Sequence, residues 1–367
     1  MNTRGYFDCW RLSTGSVITV LLGILTGDDA DYYSFIRRKV MNISENEAFI
    51  LPDSGSSFHE LCDWYFKVYA PLELKLRTIE NNRKLLRCYA FPFIGDIPLS
   101  AITPCHIDYM MSQLLKRPGK PLAAGSVNLV RAAVSGVFSV AVKKGIADKN
   151  PVSGTSPVRR FREQKRFLDK ESSRVILSRL SDIRNPQVAR AIKVLLYTGL
   201  RRGELLGLSW EDVNFEESVL IVRHTLWKNE LTAPKTMSSV RTVPLSHEVT
   251  ECLKEQFIYI HEKRSETGDA WTETGMVFTN RHGGYMNGEY LNNTFRKFLN
   301  DNGLPGMHIH DLRHANASIL INSGVPMKVV SEHLGHSSVK TTEDFYTHLF
   351  ASSKKITAEV LSEALAE

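Results

Sequence analysis

Cysteine is scarce and unpatterned in this chain. The five cysteines, Cys9, Cys62, Cys88, Cys105 and Cys252, are odd in number and never spaced as Cys-x-x-Cys. That excludes a disulfide framework and a zinc ribbon, and reads as small buried side chains in a reducing compartment. Long apolar runs are missing too. The longest, Val17 to Leu25, falls short of the ~20 residues that span a bilayer. Arg4 and Arg11 precede it as they would in a leader, but Thr26-Gly27-Asp28-Asp29 offers no small-residue cleavage site. The run reads as a buried strand or short helix, and the expected location is the cytoplasm, with no membrane partner. Walker-type phosphate loops, internal repeats and low-complexity tracts are absent as well.

What is present suits an ordinary folded protein. Its 367 residues exceed two typical domain lengths, and 43% are apolar against 23% charged. Lys and Arg outnumber Asp and Glu by 46 to 40, a surplus that permits a polyanionic partner without requiring one. Two composition breaks divide the chain. The first is the turn-forming cluster Leu51-Pro52-Asp53-Ser54-Gly55-Ser56-Ser57. The second runs from Asn150-Pro151 through Gly154 and Pro157 into Arg159-Arg160-Phe161-Arg162-Glu163-Gln164-Lys165-Arg166. The expected organisation is an N-terminal segment of unassigned role (1–52), a helical domain (53–155), a basic linker (156–168), a mixed domain (169–350) and a tail helix (351–367).

Ser57 can cap a first helix carrying Leu61, Tyr65, Val68 and Tyr69. Further helices are expected over Thr78–Tyr89, ending before Phe91-Pro92, over Thr103–Leu115, and over Ala124–Lys143. The last has one buried stripe of Val127, Val130, Val134, Val137, Phe138 and Ala141. Beyond the linker, Asp169–Leu180, Pro186–Thr198 and a short piece from Leu205 read as helical. Ser218–Arg223 and Val240–Leu245 are β-branched runs expected as strands. Helices return at Glu248–Arg264, Tyr290–Asn300, His310–Ser323, Met327–Leu334, Thr341–Phe350 and Ser353–Ala366. The predicted class is mainly α with a small antiparallel β-sheet.

Five pieces carry chemistry. Thr198-Gly-Leu-Arg-Arg-Gly-Glu-Leu205 puts Arg201 at a helix N-terminus, where backbone N–H groups and a guanidinium could face an anion together. Pro234-Lys235-Thr236, ahead of Ser239-Val-Arg-Thr-Val-Pro-Leu245, sets a lysine on the turn before a strand. In His308-Ile-His-Asp-Leu-Arg-His314, His310 and Arg313 are one helical turn apart, and two groups that donate to oxygen suit a phosphate. A zinc site at His308, His310 and His314 is the competing reading. It is disfavoured because Arg313 would stand beside the cation and no carboxylate or cysteine cluster completes the set. Glu332-His-Leu-Gly-His336-Ser-Ser338 is a helix stop with a histidine just beyond, and Thr341-Thr-Glu-Asp-Phe-Tyr346-Thr-His348 places a tyrosine on an amphipathic segment.

In that order the five motifs resemble the tyrosine recombinase (phage integrase) family over about residues 169–350. Residues 57–154 resemble, more loosely, that family's helical core-binding domain. The resemblance implies a site-specific recombinase of the mobile-element integrase type, its two domains closing as a clamp on DNA. Arg201, Lys235, His310, Arg313 and His336 would surround a scissile phosphate, with Glu204 bracing the site and Tyr346 attacking it. The product would be a 3′-phosphotyrosine ester with a free 5′-hydroxyl, resealed without ATP, cofactor or metal. Lys235 would protonate the leaving oxygen. Double-stranded recombination sites are the implied partners, within a homotetrameric synapse assisted by accessory bending or directionality factors. Arg159, Arg160, Arg162, Lys165 and Arg166 of the linker, with Lys143 and Lys144, are candidate phosphate contacts. The alternatives are a type IB topoisomerase-like relaxing enzyme and an inactive DNA-binding regulator.

Overall fold

The computed structural model describes residues 51–159, 169–232 and 240–335. The chain divides into two compact units, Met1–Glu163 and Gln164–Glu367, each with its own apolar core.

The described part of the first unit is all helical. Helix α1 (Phe58–Trp64) starts at a capping box in which Ser57 and Glu60 satisfy each other's backbone N–H. It continues through a π turn (Tyr65–Tyr69) into α2 (Ala70–Glu73), and α3 (Leu76–Leu85) continues through a second π turn (Leu86–Ala90) into α4 (Phe91–Ile94). The sequence pattern stops a helix before Phe91-Pro92, whereas the helical path runs straight on. The reason is the same at both junctions. The N–H of Ala70 reaches back to Tyr65, and that of Phe91 to Leu86. The widened turn accommodates Pro71 and Pro92, which have no N–H for an ordinary helical bond. Helices α5 (Pro104–Leu115) and α6 (Ala124–Lys143) complete the unit. Helix α6 is long and apolar enough to cross a membrane by length and composition. Here its stripe, Val127, Val130, Val134, Val137, Phe138 and Ala141, lies in the core, where the Phe138 ring stacks on Phe58 at 5.3 Å.

The second unit surrounds a small sheet with helices. Helices α7 (Lys170–Ser178), α8 (Pro186–Thr198) and α9 (Arg202–Leu206) lead into strands β1 (Val213–Asn214) and β2 (Val219–Val222). A hairpin of β3 (Thr225–Trp227) and β4 (Glu230–Thr232) follows, then β5 (Arg241–Pro244). The strand order is β1-β2-β5, antiparallel throughout, with buried Leu220 facing buried Val243. The hairpin was not expected from the sequence. Its turn residues, Lys228 and Asn229, have positive φ, the geometry of a tight connection between twisted strands.

Helices α10 (His247–Thr267), α11 (Gly288–Asp301), α12 (Ile309–Asn322) and α13 (Met327–Leu334) follow. Helix α8 runs through the middle of this unit, burying Val188, Ala191, Ile192 and Leu195. On one flank the buried amides of Gln187 and Gln256 tie α8 to α10 and to the chain at Val277–Thr279. Gln187 both donates to the Thr279 carbonyl and accepts from its N–H, while Gln256 donates to Val277 and to Gln187. On the other flank α8 packs against α12.

Candidate active site

The site begins where α8 stops. Gly199 adopts the left-handed conformation at φ 63° and returns its N–H to the Leu195 carbonyl, as a helix C-terminal glycine does. The position also demands a missing side chain. A Cβ there would lie 2.6 Å from Leu334 Cδ2 and 2.8 Å from Asn316 Oδ1. The turn is thus pressed against α12 and α13, and the next residues, buried Leu200 and extended Arg201, open into α9.

Glu204, 4% exposed, lies beneath that turn. Its carboxylate accepts from the Arg201 backbone N–H at 2.9 Å and from Arg201 Nη1 at 2.6 Å. It also accepts from Nη2 of Arg241, in β5, at 2.9 Å. Burial pushes the Glu204 carboxyl up. The hydrogen bond and charge of Arg241, with the charge and backbone N–H of Arg201, outweigh it and bring the pKa down to about 2. Glu204 is therefore an anion between two cations. The sequence leads one to expect backbone N–H groups and a guanidinium at Arg201 facing an anion together; at the Arg201 N–H that anion is the Glu204 carboxylate.

Three guanidiniums converge on the end of α13. Arg241 Nε donates to the His333 carbonyl at 2.7 Å, Arg313 Nη2 to the Leu334 carbonyl at 2.5 Å, and Arg201 Nη2 to the Gly335 carbonyl at 3.1 Å. A helix end leaves its last carbonyls without intrahelical partners and carries partial negative charge. Here arginines from three other elements supply the donors. The helix stops because Gly335 is left-handed at φ 66°, and a Cβ on it would come within 2.9 Å of Arg241 Nη1.

The two sequence-predicted arginines differ in depth. Arg313, 3% exposed, also donates from Nη1 to the Gly199 carbonyl at 2.6 Å. Arg201 keeps 38% of its side chain exposed, within reach of a ligand. His310 stands exposed in the first turn of α12, one turn before buried Arg313, its ring centroid 5.0 Å from that of His314. His308 acts as the N-cap of this helix, its N–H held by Asp311 at 2.8 Å. Among the described residues no three His, Cys, Asp or Glu side chains gather where a metal ion could sit.

Two residues of the cluster escaped the sequence reading. Arg241 sits in a strand whose inward positions alternate, with Val243 and Leu245 buried beyond it. A charged residue at an inward position of such a strand needs a buried counter-charge, and that was the available signal. The other is His333. Burial, then the charges of Arg241 and Arg313, lower its pKa to about 4 against an opposing hydrogen bond to the Thr198 backbone. Its Nε2 is buried without a hydrogen-bond partner among the described residues.

Lys235, His336 and Tyr346 lie outside the described residues, as do Arg160, Arg162, Lys165 and Arg166. Arg159, Lys143 and Lys144 are exposed on the first unit.

Comparison with known proteins shows what the chain resembles. The phage integrase family model matches residues 166–353, and the model for the phage integrase N-terminal SAM-like domain matches residues 57–115. A tyrosine recombinase XerC-like protein of Caldanaerobacter subterraneus is 32% identical over 62% of this chain. The chain spans 63% of that relative's length. The ICEBs1 integrase of Bacillus subtilis is 27% identical, with 80% of each chain covered. Among solved structures, the Tn1549 transposon integrase in complex with transposon right end DNA superposes with a TM-score of 0.71. That match has 23% identity and covers 84% of this chain and all of the other.

Proposed function

The chain belongs to the phage integrase family, and on that premise we propose that it is a tyrosine-type site-specific DNA recombinase, one that integrates or excises a mobile element. A phosphodiester repels nucleophiles with its own charge, and its transition state spreads further charge over the non-bridging oxygens. Catalysis is then mostly positioning and electrostatic stabilisation. Arg201 and Arg313 hold those oxygens with guanidinium donors, a geometry that lysine does not copy. His336 adds a donor, and His310 gives or accepts a proton. Tyr346 brings a phenol, a group that ordinarily ionises only at about pH 10, so His310 takes its proton as it attacks phosphorus. Its oxygen forms the new P–O bond as the bond to the 5′-oxygen breaks, and Lys235 protonates that leaving oxygen. The ester keeps the phosphoryl group activated, so the 5′-hydroxyl of a second strand reverses the step.

The observation that carries this reading is the gathering of Arg201, Arg241 and Arg313 on the carbonyls of His333, Leu334 and Gly335. Those residues directly precede His336 in the sequence. The mobile-element character rests on the relation to the ICEBs1 integrase. One nucleophile per chain also sets the stoichiometry. Exchanging two duplexes breaks four strands, so four copies make a complete synapse.

The test uses the full chain and a library of nicked duplexes with randomised cores. Wild-type protein is expected to form an adduct stable to denaturation, whose sequenced junctions define the site. Tyr346→Phe is expected to bind the selected duplex and form no adduct. An adduct with Tyr346→Phe removes the assigned nucleophile. Supercoil relaxation indifferent to the selected site favours the topoisomerase alternative, and binding without any wild-type adduct favours the inactive regulator.

A further inference from the structure

Arg241 is one of the most deeply placed charges among the described residues of the second unit, its side chain 6% exposed, and the recombinase reading assigns it no chemical step. Two of its hydrogen bonds go in different directions. Nη2 reaches the Glu204 carboxylate, which also holds Arg201, and Nε reaches the His333 carbonyl in the last turn of α13. The guanidinium lies so close over Gly335 that a Cβ there would come within 2.9 Å of Nη1. Arg241 thus bridges the segment that presents Arg201 and the helix end from which the chain leaves toward His336.

Resting on the recombinase reading, we propose that Arg241 is a positioning residue for strand cleavage: it fixes the exit of α13 relative to Arg201 by spanning Glu204 and the His333 carbonyl. It need not touch DNA. A planar guanidinium can serve two acceptors at a fixed angle, whereas an ammonium on a flexible stem serves them one at a time. The structure supplies a reason for the burial as well. Glu204 is buried, and the charges and hydrogen bonds of both arginines favour its ionised form and aim its two oxygens.

The role has a signature that simple loss of packing would not produce. Glu204 is faced by Arg201 from its own turn and by Arg241 from β5, while His333, in the last turn of α13, feels the charges of Arg241 and Arg313. Without Arg241 the remaining burial raises the Glu204 pKa. Protonation would then release Arg201 at a pH where the wild type is unaffected.

The experiment measures single-turnover adduct formation between pH 4.5 and 9 on the duplex selected by wild-type protein, together with its dissociation constant. Arg241→Ala is expected to slow cleavage by about 10²-fold, the cost of misplacing reacting groups by an ångström, with DNA affinity little changed. Its acid limb should move to higher pH, and should do so equally in a His333→Gln background, which removes a second titratable group beside Arg241. Arg241→Lys, which keeps the charge and covers the case of an unfolded alanine variant, should restore the acid limb but only part of the rate. Glu204→Gln with Arg241→Ala should be no slower than Glu204→Gln alone.

Wild-type rate and pH profile in both Arg241 variants would overturn the proposal, as would a fully additive double variant. A wild-type chain that forms no adduct on any library member overturns the recombinase reading and this inference with it. A wild-type adduct with unperturbed Arg241 variants overturns this inference alone.

Discussion

Asn316 occupies the space that a side chain on Gly199 would need. Its Nδ2 donates to the carbonyls of Leu196 and Tyr197 in the last turn of α8, and its Oδ1 lies 2.8 Å from where a Gly199 Cβ would stand. One carboxamide therefore closes the end of α8 and sets how near α12 can approach the Arg201 turn.

Gly199→Ala should accordingly fail on two counts, a left-handed backbone and a clash with Asn316 and Leu334. A loss of about 1–3 kcal/mol is expected from overpacking alone, read by urea unfolding. Cleavage should fall further than stability, because Arg201 follows two residues later.

Arg201→Lys and Arg313→Lys should separate. Each is expected to lower single-turnover cleavage by about 10²–10³-fold, the usual cost of losing a preorganised donor. Arg201 is partly exposed, so its variant should melt close to wild type. Arg313 is buried with two backbone carbonyls as acceptors, so its variant should melt lower as well. Calorimetry beside the cleavage assay distinguishes them.

Acid should weaken the second unit in two stages. His333 has a folded pKa near 4, below its ordinary 6.5. Its contribution is complete above 6.5 and is lost as pH falls toward 4, because the unfolded chain protonates first. Glu204, lowered from 4.5 to about 2, contributes fully above 4.5 and loses that contribution as pH falls toward 2. His333→Gln should flatten the slope of unfolding free energy between pH 6.5 and 4 and leave the lower region unchanged. Glu204→Gln, which strands two guanidiniums, should cost about 3–5 kcal/mol at pH 7.

Gln256→Leu tests the opposite flank. It removes the donor to the Val277 carbonyl and to Gln187, so about 1–3 kcal/mol should be lost for the unsatisfied groups. Cleavage by the folded fraction should stay near wild type.

Much of this was legible in the sequence where a pattern is local. Helices α8 and α13 were read to the residue, because apolar spacing ends in a glycine that stops each one. Strands β2 and β5 were read from β-branched runs, differing from the observed spans by a residue at each end. The helix expected to stop before Phe91-Pro92 runs on, since a π turn is a backbone adjustment with no side-chain signature. The β3–β4 hairpin went unseen because its turn uses Lys228 and Asn229 rather than a glycine pair. At the site, Arg201, Glu204 and Arg313 stood out through motif order. Arg241 did not. The strand shows only a charge at an inward position; the carboxylate and helix end that explain it are remote in sequence.

Those remote pairings also set a schedule. Arg201 and its acceptor on Gly335 are separated by 134 residues, roughly ten seconds of synthesis at common ribosomal speeds. The first unit carries a complete core of its own within Met1–Glu163. A growing chain can thus possess the folded core of residues 58–152 well before Arg201, Arg241 and Arg313 meet the end of α13. The helix ending at Leu334, with His336 and Tyr346 still behind it in the sequence, is among the last parts of the proposed site to leave the ribosome.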